Sequence, residues 1–154
     1  MYDSFDRKIL DILQSDADLP VAEIAERVGL SQTPCWRRIR KMEADGLIRK
    51  RVVLLDQKKA NVPLTVFISV KAPRHSSDWL NSFRKIIFDM GEVLEAYRLT
   101  GEVDYMLRIA VPDIESYDVL YKRMIEKLEF SNLVSAIAME ELKFTTAIPT
   151  NYLP

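Results

Sequence analysis

The chain has 154 residues, 48% hydrophobic and 29% charged, with a net charge of −1, one cysteine and one histidine. That is enough for one medium domain or two small ones, and the net charge by itself argues nothing for nucleic acid. One cysteine excludes an intrachain disulfide framework, a lone His and a lone Cys far apart supply no zinc ligand set in one subunit, and no apolar run approaches the ~20 residues of a membrane span.

In chain order, Ser4 is the expected N-cap of a first helix, with Asp6 in its first turn and Phe5, Ile9, Ile12 and Leu13 on one face through to Gln14. Ser15–Pro20 is polar and turn-like, and Pro20 suits the first position of the next helix. Val21, Ile24, Ala25 and Val28 then keep helical spacing until Gly29-Leu30-Ser31 interrupts them. Gly29 suits a left-handed helix end, and the Ser31 hydroxyl suits the N-cap of the following helix. Pro34 falls in that helix's first turn, where no intrahelical donor is lost. A second stripe, Cys35, Ile39 and Met42, runs to a stop at Gly46. Cys35 reads as a small core residue, and Trp36 reads first as packing beneath its helix and second as a contact to a sugar-phosphate backbone.

Two short helices joined by a tight Gly-containing turn make a helix-turn-helix candidate. The second, Gln32–Asp45, carries Arg37, Arg38, Arg40 and Lys41, with Gln32 and Thr33 at its tip. Those are the groups that dock on phosphates and read base edges. Charge distribution agrees. Residues 1–60 carry 12 Lys+Arg against 10 Asp+Glu, and residues 61–154 carry 10 against 13. A local basic stripe on an acidic protein suits a dedicated DNA module, whereas without the helix-turn-helix pattern it would read as a solvated helix face. The candidate DNA contacts are Ser31, Gln32, Thr33, Arg37, Arg38 and Lys41. Leu47–Leu55, rich in Val, Ile and Leu, reads as a short β-wing that runs into a linker at Asp56–Pro63.

The second half changes character. Leu64–Lys71 reads as a strand, and Ser76 or Ser77 caps a helix through about Met90 with Trp79, Leu80, Phe83, Ile86 and Ile87 on one side. Gly91 ends it. Val93–Leu99 and Asp104–Val111 are strands joined by the turn Thr100-Gly101-Glu102-Val103. Ile114–Leu128 is helical, with Tyr117, Leu120, Tyr121, Met124 and Ile125 inward, and Leu133–Phe144 is the last strand. The order βαββαβ is the ferredoxin-like arrangement, with helices on one face of the sheet only. The expected fold is α+β: residues 1–60 a winged helix-turn-helix with linker, residues 61–154 a ferredoxin-like sandwich. Apolar residues on both faces of its strands, with Val66, Ile68 and Val70 opposite Phe67, predict sheet-to-sheet dimerisation.

These segments resemble the Lrp/AsnC family of bacterial and archaeal transcription regulators across essentially the whole chain. The matching stretches are FDRKILDILQ, IAERVGLSQTPCWRRIRKMEADGLI, TGEVDY and AMEELK. Within the family, TPCWRR, HSSDW and AMEELKFTT look like a branch associated with control of cysteine detoxification. The resemblance implies an N-terminal DNA-binding domain and a C-terminal domain that senses an amino-acid effector and forms dimers, often four in a ring. It implies effector pockets between neighbouring dimers, at Leu99, Thr100, Gly101 and Asp104, with Ala136, Ile137 and Ala138 on the last strand linked to the response. Small side chains at Ala136 and Ala138 depart from bulkier ones in some leucine-responsive relatives and leave the effector open.

A physical argument stands beside that likeness. Backbone N–H groups of a Gly-containing turn can hold a ligand carboxylate, and Asp104 can pair with an ammonium. The plain alternative is that Gly101 is only a hairpin turn and Asp104 a turn cap. The expected partners are double-stranded DNA, a small amino acid and further copies of this chain, in the cytoplasm, with no cofactor. A ligand-blind protein that wraps DNA is the alternative. An enzyme is poorly supported, since no Ser/His/Asp set and no carboxylate pair in an apolar setting is present.

Overall fold

The structure, a computed structural model, describes residues 1–154. Contacts divide it into two compact units, Met1–Val53 with Leu142–Pro154, and Leu54–Glu141.

The first unit packs three helices, α1 (Ser4–Ser15), α2 (Val21–Val28) and α3 (Gln32–Ala44), around Ile9, Leu10, Ile24, Ala25, Val28, Cys35, Ile39 and Met42. The predicted stripes of α2 and α3 are buried, Val21 only partly; on α1 Ile9 is buried with Leu10, which was not on the expected face, while Phe5, Ile12 and Leu13 are half-buried. Helix α1 is capped by Asp3 rather than Ser4: Asp3 accepts the N–H groups of Phe5 and Asp6, and the Asp6 carboxylate accepts the Asp3 N–H, a closed capping box. Pro20 sits at the N-cap of α2, one position earlier than expected. Gly29 ends α2 at φ +76°, and the Leu30 N–H reaches back to the Ala25 carbonyl at 2.8 Å. That left-handed stop turns the chain tightly into α3. Ser31 is the N-cap of α3, but its hydroxyl makes no capping hydrogen bond.

The expected strand of the wing, Leu47–Leu55, does not form. A strand needs a ladder partner, and no second strand lies in this unit. Val52 and Val53 run on as exposed chain.

The second unit is a sheet of β1 (Leu64–Lys71), β2 (Val93–Arg98), β3 (Tyr105–Val111) and β4 (Asn132–Ile137) in the order β2-β3-β1-β4, with every neighbouring pair antiparallel. Helices α4 (Ser77–Phe88) and α5 (Ile114–Lys127) supply its crossovers. Val66, Ile68, Val70, Leu107 and Ile109 face them, with 1% exposure at most. Trp79 anchors this core as predicted: its ring stacks on Phe83 at 5.0 Å and its Nε1–H donates to the Glu129 carbonyl at 2.8 Å. Ile125, expected inward, is exposed on the outer side of α5.

Strand β4 stops at Ile137 instead of running to Phe144. Its partner β1 begins at Leu64, so residues beyond Ala138, whose N–H donates to the Thr65 carbonyl at 2.9 Å, have no ladder to join. Leu142–Pro154 packs with the first compact unit, where α1 side chains hydrogen-bond its backbone.

Candidate functional site

Two groups of residues bear on function, one in each unit. In the first, burial of Cys35, Ile39 and Met42 fixes how α3 is rolled. The exposed arc then holds Gln32, Thr33, Trp36, Arg37, Arg40 and Lys41. Ser31, Gln32, Thr33, Arg37 and Lys41 of the expected set lie on or beside it. Lys41 also reaches Asp45 at 2.9 Å and lies over the Tyr2 ring.

Arg38 does not share this arc. It sits on the flank toward α1, where its Nη1 lies 2.8 Å from both the Asp3 and the Asp6 carboxylates, and its guanidinium covers the Phe5 ring. Asp6 is the one buried charged residue, and Arg38 is its counter-ion. These contacts hold the Arg38 proton more firmly than in a free guanidinium. In this geometry Arg38 ties α3 onto α1.

The arc gains Trp36 and Arg40 instead. Trp36, expected beneath the helix, is 48% exposed, and the Arg40 guanidinium stacks over its ring at 5.6 Å while reaching Glu43. The signal was present in the sequence: Trp36 follows Cys35 directly, about 100° round the helix, so it falls to the side of the Cys35–Ile39–Met42 stripe. Cys35 itself is fully buried, and burial pushes its thiol up, away from the reactive thiolate.

In the second unit, Leu99–Asp104 is the β2–β3 hairpin loop. The Leu99 N–H donates to the Asp104 carbonyl at 2.8 Å, and the Asp104 N–H to the Val70 carbonyl at 3.0 Å. Gly101 stands at φ +111°, which an L side chain rarely adopts. Asp104 is not a free anion: its Oδ2 accepts the Ala72 N–H at 2.8 Å, and its Oδ1 lies 3.7 Å from His75 Nε2. The residue that the sequence does not single out here is His75, in the loop before α4.

Ala136 and Ala138 are elsewhere. The loop lies beside the Val70 end of β1, whereas Ala136 pairs with Phe67 and Ala138 with Thr65, on the opposite edge of the sheet. Five residues of strand and two to three inter-strand steps separate them, about 20 Å. One chain does not bring the two halves of the expected effector site together. A hollow of about 550 Å³ lined by Pro63, Leu64, Pro112, Asp113, Ile114 and Glu115 includes none of the expected effector residues.

The sheet face away from the helices is open. Two rows cross it, Glu95–Arg108–Phe67–Ala136 and Tyr97–Met106–Ser69–Val134. Arg108 pairs with Glu95 at 2.7 Å, which holds the Glu95 carboxyl below the usual carboxylate range, and Phe67, Tyr97 and Val134 are exposed. No helix is long and apolar enough to cross a membrane.

Comparison with known proteins bears on both groups. Residues 2–49 match the winged helix-turn-helix DNA-binding domain, and residues 65–148 the Lrp/AsnC ligand binding domain. The chain is 46% identical over 147 residues to the glutamate uptake regulatory protein of Zymomonas mobilis, covering 96% of this chain and 90% of that one. The crystal structure of an AsnC family transcriptional regulator from Agrobacterium tumefaciens superposes with a TM-score of 0.96 at 54% identity, over 99% of this chain and 100% of that one. A transcriptional regulator of Neisseria meningitidis, solved as a complex with L-Met, superposes with a TM-score of 0.95 at 32% identity over the full length of both chains. With its DNA-binding helices in one unit and its ligand-binding sheet in the other, this chain belongs to the Lrp/AsnC family of transcriptional regulators.

Proposed function

We propose that this protein binds specific DNA sites as a dimer and that a small amino acid changes its DNA affinity or assembly. The observation that carries the DNA half is the exposed arc of α3, where Thr33, Trp36, Arg37 and Arg40 stand opposite a fully buried stripe. In this reading Arg37, Arg40 and Lys41 meet phosphates, while Ser31, Gln32, Thr33 and Trp36 lie nearer base edges. A dimer would set two such helices about 34 Å apart, in successive major grooves.

The effector half rests on the loop Leu99–Asp104, with Ala136 and Ala138 responding from another copy. The separation of these groups within one chain favours a pocket completed between copies, since a free amino acid is far shorter than that gap. The L-Met complex of the Neisseria meningitidis relative supports an amino acid as the ligand class. The open sheet face supports dimerisation, and four dimers are the expected higher assembly. We place the protein in the cytoplasm, where its DNA would be.

The test is a thermal-shift screen of the purified protein against the twenty amino acids, with sizing of the assembly in parallel. Selective stabilisation that rises with concentration as mass action requires would identify the effector. A response to cysteine would favour the cysteine-detoxification branch. Stability and assembly unmoved by all twenty would overturn the effector half and leave a ligand-blind DNA-wrapping protein.

A further inference from the structure

The segment Leu142–Pro154 follows the sheet-forming unit in the chain yet belongs to the compact unit that holds α1, α2 and α3. Its contacts are specific. The Gln14 side-chain amide brackets one residue: Nε2 donates to the Ile148 carbonyl at 3.0 Å, and Oε1 accepts the Ile148 N–H at 2.6 Å. Thr150 Oγ1 donates to Asp11 Oδ1 at 2.9 Å. Arg7 Nη2 donates to the Leu153 carbonyl at 3.0 Å, and the Leu153 side chain packs on the Ile9–Met42 core. Arg7, Asp11 and Gln14 stand at helical spacing, so one polar face of α1 is given over to this segment.

The end of the tail reaches further. The Tyr2 N–H donates to the Pro154 carbonyl at 2.8 Å. Tyr2 in turn donates through its hydroxyl to Asp45 at 3.1 Å and lies under the Lys41 ammonium. Its neighbour Asp3 pairs with Arg38. Tyr2 therefore links the tail to the end of α3, at Lys41 and Asp45, and its chain neighbour Asp3 meets Arg38.

We propose that Leu142–Pro154 is a positioning strap for α3. It fixes Tyr2, the residue before the α1 cap Asp3, and through Tyr2 the seating of the DNA-facing helix at Lys41 and Asp45. It also gives the sheet-forming unit a second covalent connection to the helical unit, besides the one after Val53, and this one begins four residues after β4. A ligand that alters β4 thereby pulls on the seating of α3. The coupling half rests on the effector reading above; the positioning half rests only on α3 as the DNA-facing helix.

The test uses the full chain and three variants: one ending at Ala147, one with Gln14→Ala, and one with Gly-Ser-Gly-Ser inserted between Glu141 and Leu142. Affinity is read by fluorescence anisotropy on a mixed-sequence 30-base-pair duplex, well below the unfolding midpoint, together with the amide spectrum of Arg37–Lys41. The shortened chain is expected to lose affinity by roughly tenfold, about one hydrogen bond's worth, and Gln14→Ala somewhat less, each with shifted α3 amides. The insertion keeps every tail contact and is expected to leave both readouts unchanged. Affinity and α3 amides unmoved by both the shortening and Gln14→Ala would overturn the positioning role. Each of the twenty amino acids is then added to the duplex titrations. An amino acid that shifts wild-type affinity is expected to lose most of that effect in the insertion variant. A full response there would overturn the coupling. No response in the wild type would overturn coupling and effector reading together, while the shortening and Gln14→Ala still decide the positioning role.

Discussion

The Asp104 carboxylate accepts the Ala72 N–H at 2.8 Å, so one side chain ties the β2–β3 loop to the end of β1. Asp104 is only 16% exposed, and an unpaired N–H left beside it would cost about 1–3 kcal/mol. Asp104→Asn retains an acceptor for Ala72, whereas Asp104→Ala does not. The expected outcome is that Ala lowers the unfolding midpoint and abolishes ligand-induced stabilisation, while Asn preserves both. If Asn abolishes the ligand response as completely as Ala with the midpoint intact, the carboxylate is on the ligand ammonium instead.

Arg37 and Arg38 are neighbours with different work. Arg38→Ala leaves the buried Asp6 without its counter-ion and is expected to cost about 1–2 kcal/mol of stability, with little change in the salt dependence of DNA binding. Arg37→Ala is expected to leave the unfolding midpoint alone and lower the log–log salt slope by about one. Anisotropy titrations across a salt series, paired with thermal melts, separate the two. A reduced slope for Arg38→Ala would return Arg38 to the phosphate.

Trp36 lies outside the core, so Trp36→Ala is expected to change stability by no more than about 0.5 kcal/mol. An indole ring on the arc offers apolar contact to thymine methyl groups in the major groove. On sites selected from random duplex by the wild type, Trp36→Ala is expected to weaken binding by about tenfold. Replacing thymine by uracil in those sites should weaken the wild type but not the variant. Equal sensitivity of both proteins to uracil would remove Trp36 from the base edges.

The cap of α1 is tested by acid. The Asp6 N–H first, then Arg38, hold the Asp3 carboxyl below the ordinary aspartate range. A folded-state pKa that is depressed adds stability that is fully present above the unfolded value and lost as pH falls through the folded one. The helical unit should therefore keep this contribution at neutral pH and lose it only below the ordinary aspartate range. Asp3→Asn, also a good N-cap but uncharged, is expected to flatten that acid limb in circular-dichroism melts. An unchanged acid limb would assign it to other carboxylates.

The apolar stripes of α1, α2 and α3 and the βαββαβ order were legible because periodicity reports burial directly. What escaped was long-range. Asp3 displaced Ser4 as cap because Asp6 could reciprocate, a pairwise fact that single-residue preference does not see. Arg38 read as one more cation in a basic run until its roll toward Asp3 and Asp6 was fixed. The tail read as strand because Leu133–Phe144 has strand composition, but β1 offers no backbone beyond Leu64 to pair with it. The effector residues gathered by likeness to a family fall about 20 Å apart in one chain, a distance that composition and spacing cannot carry.

The open sheet face gives the last prediction. Phe67 lies in the row with Glu95 and Arg108, directly across β3 and β1, and outside the buried core. Phe67→Glu would set a second carboxylate in that row. In a single chain it meets solvent and Arg108, so the fold should survive. Between two sheets packed about 10 Å apart it would be buried against its own symmetry mate, where like charges and lost hydration oppose association. The expected outcome by sedimentation equilibrium is a monomer with a wild-type circular-dichroism spectrum. Binding to sites with two half-sites should then fall by a hundredfold or more, roughly the effective-concentration advantage that joins two modules. A variant that remains dimeric and binds such sites as the wild type does would place the dimer contact elsewhere than on this face.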